Sequence, residues 1–403
     1  MKALRQFLDK IKPNFEPGGK FAPLQSVFEG FESFLFVPAT TSKSGVHIHD
    51  TIDSKRTMTV VIIALIPALL FGMYNVGYQH YLSIGELATT SFWMVALYGF
   101  LAVLPKILVA YIVGLGIEFI AAQLRHHEIQ EGFLVSGMLI PMIVPIDTPL
   151  WMIAVATAFA VIFAKEVFGG TGMNIFNVAL VTRAFLFFAY PSKMSGDNVF
   201  VRTNDTFGIG GGNVVDSFSG ATPLGQVASN VPGEALNITN VVGQPLTTMD
   251  YFLGLIPGSI GETSTLAILI GAVILLITGI ASWRIIVSVF AGGLLTAWVC
   301  TMVDPSIYPA AMLSPIDQVC LGGFAFAAVF MATDPVTAAR TQVGKYIYGF
   351  LIGVMAIIIR VFNTGYPEGA MLAVLFMNAF APLIDHYVVE ANIKRRLNRA
   401  KKA

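Results

Sequence analysis

The chain has 403 residues, 55% of them hydrophobic and only 12% charged, with a mean hydropathy of +0.73. Soluble domains carry roughly twice that share of charge, so the sequence reads as an integral membrane protein and not as a soluble enzyme. The formal net charge is zero, with no basic excess of the kind that would meet a nucleic acid.

Residues 1–55 are polar and mixed, with no apolar stretch and small-residue cleavage site of the secretory kind. They are expected to form a cytoplasmic or membrane-surface extension, in which Phe28, Phe31, Phe34 and Phe36 are spaced as on an amphipathic surface helix. A helix needs about 20 apolar residues to cross the hydrocarbon, because every backbone amide must be satisfied within the segment. Ten spans are predicted, at 58–77, 100–124, 131–145, 149–166, 174–190, 263–282, 285–303, 317–332, 346–363 and 367–389. Within 90–124, Pro105 and Lys106 interrupt a long apolar run, leaving one helix or two open. The expected fold is all-α and polytopic, about ten transmembrane helices arranged as two inverted five-helix repeats, 56–190 and 263–390. They flank a loop at 191–262 and precede a basic tail at 391–403. Weak echoes support the repeat, Gly132-Phe133 to Val144-Pro145 matching Gly323-Phe324 to Asp334-Pro335. Binding sites in such folds sit at short or broken helices, here 131–145, 174–190 and 317–332.

Lys and Arg collect in short cytoplasmic loops. Lys55 with Arg56, Arg125, Lys165, Arg284, Arg340 with Lys345 and the basic tail all fall on one side of a ten-span layout. Both termini are therefore expected in the cytoplasm and the 191–262 loop in the periplasm. Cys300 and Cys320 lie in apolar segments without a CxxC or Cys/His cluster, so they are expected to be packing residues. No dinucleotide fingerprint, P-loop or cysteine framework is present.

Chemistry is confined to few positions. In the loop, a glycine-rich run ends in Asp216-Ser217-Phe218-Ser219-Gly220-Ala221-Thr222, which on composition alone reads equally as a flexible connector. Glu131, Lys165, Glu166, Arg183, Asp334, Arg360 and Asp385 fall within or beside spans, where an unpaired ion is costly. Lys165, Glu166 and Arg360, near span ends, are read as snorkelling or structural pairs. Glu131 and Asp385 are candidates for an ion path, since carboxylates are hard oxygen ligands. Asp334 is read as joining that path, capping the helix that follows or orienting backbone carbonyls. Gly169-Gly170-Thr171-Gly172, with Asn174 and Asn177, suits close approach to a planar ligand or simply a tight helical connection. Arg183 is placed to neutralise an anion or to pair with Glu166.

The heptapeptide ending at Thr222 resembles the flavinylation signature of bacterial redox pumps. Phe15-Glu16-Pro17-Gly18-Gly19-Lys20, Lys165-Glu166-Val167-Phe168-Gly169-Gly170-Thr171-Gly172, Ile256-Pro257-Gly258-Ser259-Ile260-Gly261-Glu262 and Met331-Ala332-Thr333-Asp334-Pro335-Val336 extend the likeness along the whole chain. Together they resemble the NqrB/RnfD family, and within it the membrane component of the sodium-translocating NADH:quinone oxidoreductases. The related ferredoxin-linked complexes share the threonine motif but lack the N-terminal extension. The resemblance implies FMN joined to Thr222 by a phosphodiester, with Asp216, Ser219, Gly220 and Ala221 read by the flavin-attaching enzyme. It implies riboflavin held noncovalently, with Gly170, Asn174, Asn177 and Arg183 as flavin contacts, and ubiquinone near Phe34, Glu131 and Gly132. Sodium would move past Glu131, Asp334 and Asp385, with NADH oxidation and electron donation left to partner subunits. No side chain of this chain is expected to be catalytic, because the isoalloxazine carries the electrons. Two rival readings stay open at this point, a non-redox transporter or channel and a proton-coupled or ferredoxin-linked flavin protein.

Overall fold

The computed structural model describes residues 2–16, 18, 19, 21, 28, 32, 36, 45, 54–125, 132–195, 199–202, 220–231, 234–304, 307–363 and 365–401. The described residues form helices and connections with no named strand. In chain order they are α1 (Lys2–Ile11), α2 (Ser54–Ser83), α3 (Phe92–Arg125), α4 (Phe133–Met142), α5 (Leu150–Ala160) and α6 (Val178–Ala189). Then come α7 (Pro223–Ser229), α8 (Thr248–Leu253), α9 (Thr265–Ile277), α10 (Trp283–Cys300), α11 (Pro315–Cys320), α12 (Phe324–Phe326), α13 (Gln342–Phe362) and α14 (Ala370–Ala400). The molecule is an all-α, multi-pass membrane protein.

Among the described residues, six helices are long and apolar enough to span a bilayer, and their outer faces carry Trp93, Ile112, Ile120 and Trp298 largely bare. Exposed aliphatic and aromatic surface on that scale has a physical reason where lipid or a neighbouring membrane subunit covers it. The run 90–124 proves to be one helix, α3, which keeps Pro105 in its interior. Pro67 and Pro382 lie inside α2 and α14 likewise, tolerated because neighbouring helices and ordered groups re-satisfy the freed carbonyl.

The predicted spans 131–145 and 317–332 become the deepest part of the structure. At ten residues α4 reaches about 15 Å, half a bilayer, and Phe133, Ile140 and Met142 are fully enclosed. The second is divided, α11 giving way at Leu321-Gly322-Gly323 to α12 and a π-helical turn, Ala327–Met331. Gly322 has φ +47°, a conformation that a side chain resists, so glycine is what permits the break. A second π turn, Val161–Lys165, ends α5. The divided segment is enclosed by protein, which is where irregular backbone at membrane depth is tolerated.

Small residues let the helices meet. A Cβ on Gly353 of α13 would run into the Val289 carbonyl and the Gly293 amide of α10, so the two backbones touch directly, as at small-residue membrane interfaces. Gly353→Ala is expected to push these helices apart at a cost of about 1–3 kcal/mol. Thermal unfolding of the protein in detergent measures it, and an unchanged midpoint would contradict the contact.

The basic tail is not a separate piece, since α14 continues through it to Ala400. The loop 191–262 is only partly a connector. It contains α7 and α8, and it re-enters the protein at Ser259 to Ser264, each with 5% exposure or less apart from Gly261. Gly261, also buried, donates its amide to the Met142 carbonyl at the end of α4, 2.7 Å away.

Candidate functional site

Two clefts hold several of the described residues singled out by sequence. The first, about 810 Å³ in volume, is walled by Thr57 and Met58 of α2, Gly132 and Ser136 at the head of α4, and the Thr171-to-Asn177 connection. The segment from Phe330 to Val336 closes the other side. It therefore unites Gly132, Asn174, Asn177 and Asp334 from opposite halves of the chain. Gly170, with φ +97°, lies in the same connection but outside the lining. Asn177 has a structural task as well. Its Oδ1 accepts from the amides of Ala179 (3.0 Å) and Leu180 (3.3 Å), capping α6, while its Nδ2 donates to Asp334 Oδ2 at 2.9 Å. Asp334 uses its other oxygen to accept from the Val336 amide at 3.0 Å, which fixes a turn and does not cap the following helix, α13, which starts only at Gln342. Asn174 donates to the Phe176 carbonyl at 3.0 Å.

Lys165 also faces this cleft, and it is no interfacial snorkeller. It is 3% exposed and ion-paired to Glu118 of α3, itself 5% exposed. Sequence reading missed Glu118 because a single carboxylate in a long apolar helix has no pattern around it. Its proximity to Lys165 exists only in the fold. Glu166, one of the two alternatives open for Arg183, pairs instead with Arg125 at 3.0 Å.

The second cleft, about 860 Å³, lies at the start of α7. Thr222 is the N-cap of that helix, extended at φ −63°, ψ 155°, half-buried, with Oγ accepting from the Gly225 amide at 3.0 Å. The cap needs the threonine oxygen only as an acceptor, and an ester at Oγ removes its proton but not its acceptor lone pairs. Around Thr222 stand Ala221, Phe187, Phe200, Tyr366, Glu368 and Arg183. Arg183 is 2% exposed and binds the Ile143 carbonyl that ends α4, Ser259 Oγ at 3.4 Å, Glu262 at 2.8 Å and Glu368. Its Nε is buried without a hydrogen-bond partner. Burial pushes the Glu262 carboxyl above its ordinary range, and Arg183 pulls it back. Phe187 and Tyr366 meet edge to face at 4.3 Å, giving this cleft aromatic walls that suit a planar ring.

Arg360 overturns the expectation for a residue near a span end. It is 1% exposed, and its guanidinium donates to the carbonyls of Gln318, Leu321 (3.0 Å) and Pro367 (3.2 Å). It thus satisfies the carbonyls freed where α11 breaks. Asp385 lies in neither cleft. Its oxygens accept from the Arg340 amide (2.7 Å), the Thr341 amide (2.9 Å) and the Thr341 hydroxyl (2.6 Å), fixing the start of α13. Phe34, Glu131, Asp216 and Ser219 lie outside the described residues, while Gly220 is described and buried.

The same residues can be set beside known proteins. Residues 41–394 match the model of the NQR2, RnfD, RnfE family. A protein of Ectopseudomonas mendocina (strain ymp) is 45% identical over 417 aligned positions, covering 98% of this chain and 99% of that one. One from Pseudomonas aeruginosa (strain UCBPP-PA14) is 44% identical with the same coverage. One from Chromohalobacter salexigens is 44% identical over 415 positions, 98% of this chain and 96% of its own. All three carry one and the same name, that of a Na(+)-translocating NADH-quinone reductase subunit.

Proposed function

The chain belongs to the NQR2, RnfD, RnfE family, and from that premise we propose that it carries FMN on Thr222 and riboflavin noncovalently. It takes electrons from a partner flavoprotein and delivers them to ubiquinone as sodium crosses the membrane. It is the membrane-embedded component of an oxidoreductase and translocase complex, a reading supported by identity of 44–45% along nearly its whole length to proteins named for that complex. The observation that carries the flavin assignment is the placement of Thr222, its hydroxyl at the mouth of an aromatic cleft beside a buried arginine.

Bound FMN supplies reversible electron transfer through its isoalloxazine. What the chain itself supplies is position and charge. Thr222 holds the tether at a fixed helix start. Phe187, Phe200 and Tyr366 offer flat apolar surface, and Arg183, held between Glu262 and Glu368, offers guanidinium donors in the wall of the cleft. In the first cleft, Asn174, Thr171 and Ser136 present polar groups to the riboflavin proposed there, with Lys165 as the nearby cation. Gly132 at the head of α4, on the same wall, brings the proposed quinone position, shared with Phe34 and Glu131, alongside that cleft. NADH oxidation belongs to a partner subunit. The termini are read as cytoplasmic and Thr222 as periplasmic in a bacterial inner membrane, from the placement of basic loops.

Peptide mapping of the purified native protein tests the assignment. An FMN-sized phosphodiester adduct on the peptide containing Thr222 is expected. A colourless protein without the adduct, made in a host that has the attaching enzyme, would return the chain to the class of non-redox transporters. Sodium-dependent turnover in vesicles that persists with a protonophore present separates sodium from proton coupling. The sodium path is proposed to include Glu131, Asp334 and Asp385. Asp385→Asn keeps an acceptor for Thr341 but removes the charge, and it is expected to raise the half-activating sodium concentration several-fold while flavin content is kept. Sodium activation identical to that of the unmodified protein would remove Asp385 from the path.

A further inference from the structure

Beside Thr222, and adjoining the flavin cleft through Thr222 and Glu368, lies a smaller cavity with room for about one water-sized occupant. The residues that bear on its chemistry are Thr222, Ser259, Glu262, Thr263 and Glu368. We propose that this cavity is a binding site for a single monovalent alkali cation, sodium foremost, held by side-chain oxygens of Glu262, Thr263 and Glu368 next to the flavin tether.

Donor chemistry is the first support. The side chains named present oxygen, the ligand that hard cations prefer, and neither Arg183 nor Arg360 is among the lining residues. Glu262 meets Arg183 through Oε1 and Glu368 meets it through Oε2, which leaves the second oxygen of each carboxylate outside the ion pair. Thr263 is an independent observation. It is 4% exposed, and its buried Oγ has no hydrogen-bond partner. A buried hydroxyl left so costs about 1–3 kcal/mol, a cost that an ion or a water in the cavity removes.

Charge decides between those occupants. Arg183 with Glu262 and Glu368 sums to one negative charge, and Arg360 restores neutrality. The Arg360 Nη2 lies 3.4 Å from both the Gly322 and the Glu368 carbonyls. Resting on the reading of Thr222 as the attachment point, a phosphodiester there adds one negative charge to a neutral, largely desolvated cluster. An uncompensated charge in such surroundings is costly, and one monovalent cation balances it where a neutral water does not. The occupant is thereby linked to the charge of the flavin cleft. By reciprocity, any negative charge added to that cleft tightens cation binding, and cation binding favours the added charge.

The test uses the assembled complex, with FMN on Thr222 verified first by peptide mass, so that failure of the flavin assignment is seen separately. Flavin midpoint potentials are titrated with sodium chloride against choline chloride at constant ionic strength, for the unmodified protein and for Thr263→Val, which removes the hydroxyl at nearly constant volume. The expected result is a sodium-dependent shift whose half-saturating concentration rises about tenfold in Thr263→Val, the loss of one oxygen ligand, with flavin content unchanged. Glu262→Gln is expected to abolish the shift. In a parallel structure determined in thallium(I), density is expected between Glu262 and Thr263. Sodium responses of both variants equal to that of the unmodified protein, or a cavity free of thallium density, would overturn the proposal and leave a bound water as the occupant.

Discussion

Thr222→Ala abolishes the covalent flavin: the peptide that carries it appears unmodified, and quinone reduction by the assembled complex falls about tenfold or more, because the electron path then lacks one of the two flavins proposed on the chain. The substitution also removes the oxygen that accepts from the Gly225 amide, a loss of about 1 kcal/mol for an N-cap. That is too small to unfold the protein, so melting in detergent separates loss of flavin from loss of fold. Thr222→Ser keeps both the hydroxyl and the cap and is expected to retain the adduct. An adduct still present in Thr222→Ala would place the flavin elsewhere on the chain and detach the cleft from the chemistry proposed for it.

The largest effect on stability is expected at Arg183. Replacing it by Met preserves volume but leaves Glu262 and Glu368 facing each other without their shared cation, and it frees the Ile143 carbonyl at the end of α4. Breaking a buried pair in this way costs about 3–5 kcal/mol, enough to lower the yield of folded protein and its melting temperature together. If the cost is that of stranded charge, the double variant Arg183→Met with Glu262→Gln recovers a substantial part of it, and a double-mutant cycle measures the coupling. Simple addition of the two single effects would mean that Arg183 acts through packing alone.

The fold was legible wherever lipid imposes a rule. Each long apolar run became a helix because no other backbone conformation satisfies its amides in hydrocarbon, and the positions of α2, α5, α10, α13 and α14 follow from that constraint. The run holding Pro105 was ambiguous because proline breaks an isolated helix yet persists where neighbouring groups make good the lost hydrogen bond. The span 317–332 was legible as short. The break at Gly322 was not, since it depends on Arg360, remote in sequence, reaching the freed carbonyls.

Of the candidate sites, the sequence by itself determined the residue types that chemistry requires: a threonine in a small-residue motif, two asparagines beside a glycine-rich connection, and a handful of charges in apolar surroundings. Only the tertiary structure decided which of them meet. It placed Asn177 on Asp334, Glu118 on Lys165, Arg183 between Glu262 and Glu368 rather than on Glu166, and Asp385 on the start of α13. The physical reason is the range of the forces involved. Burial of an apolar run is a property of the run itself and can be summed along the chain. The energy of a buried charge depends on the one partner within a few ångströms, and that partner can lie in the other half of the chain, as Glu368 does from Arg183.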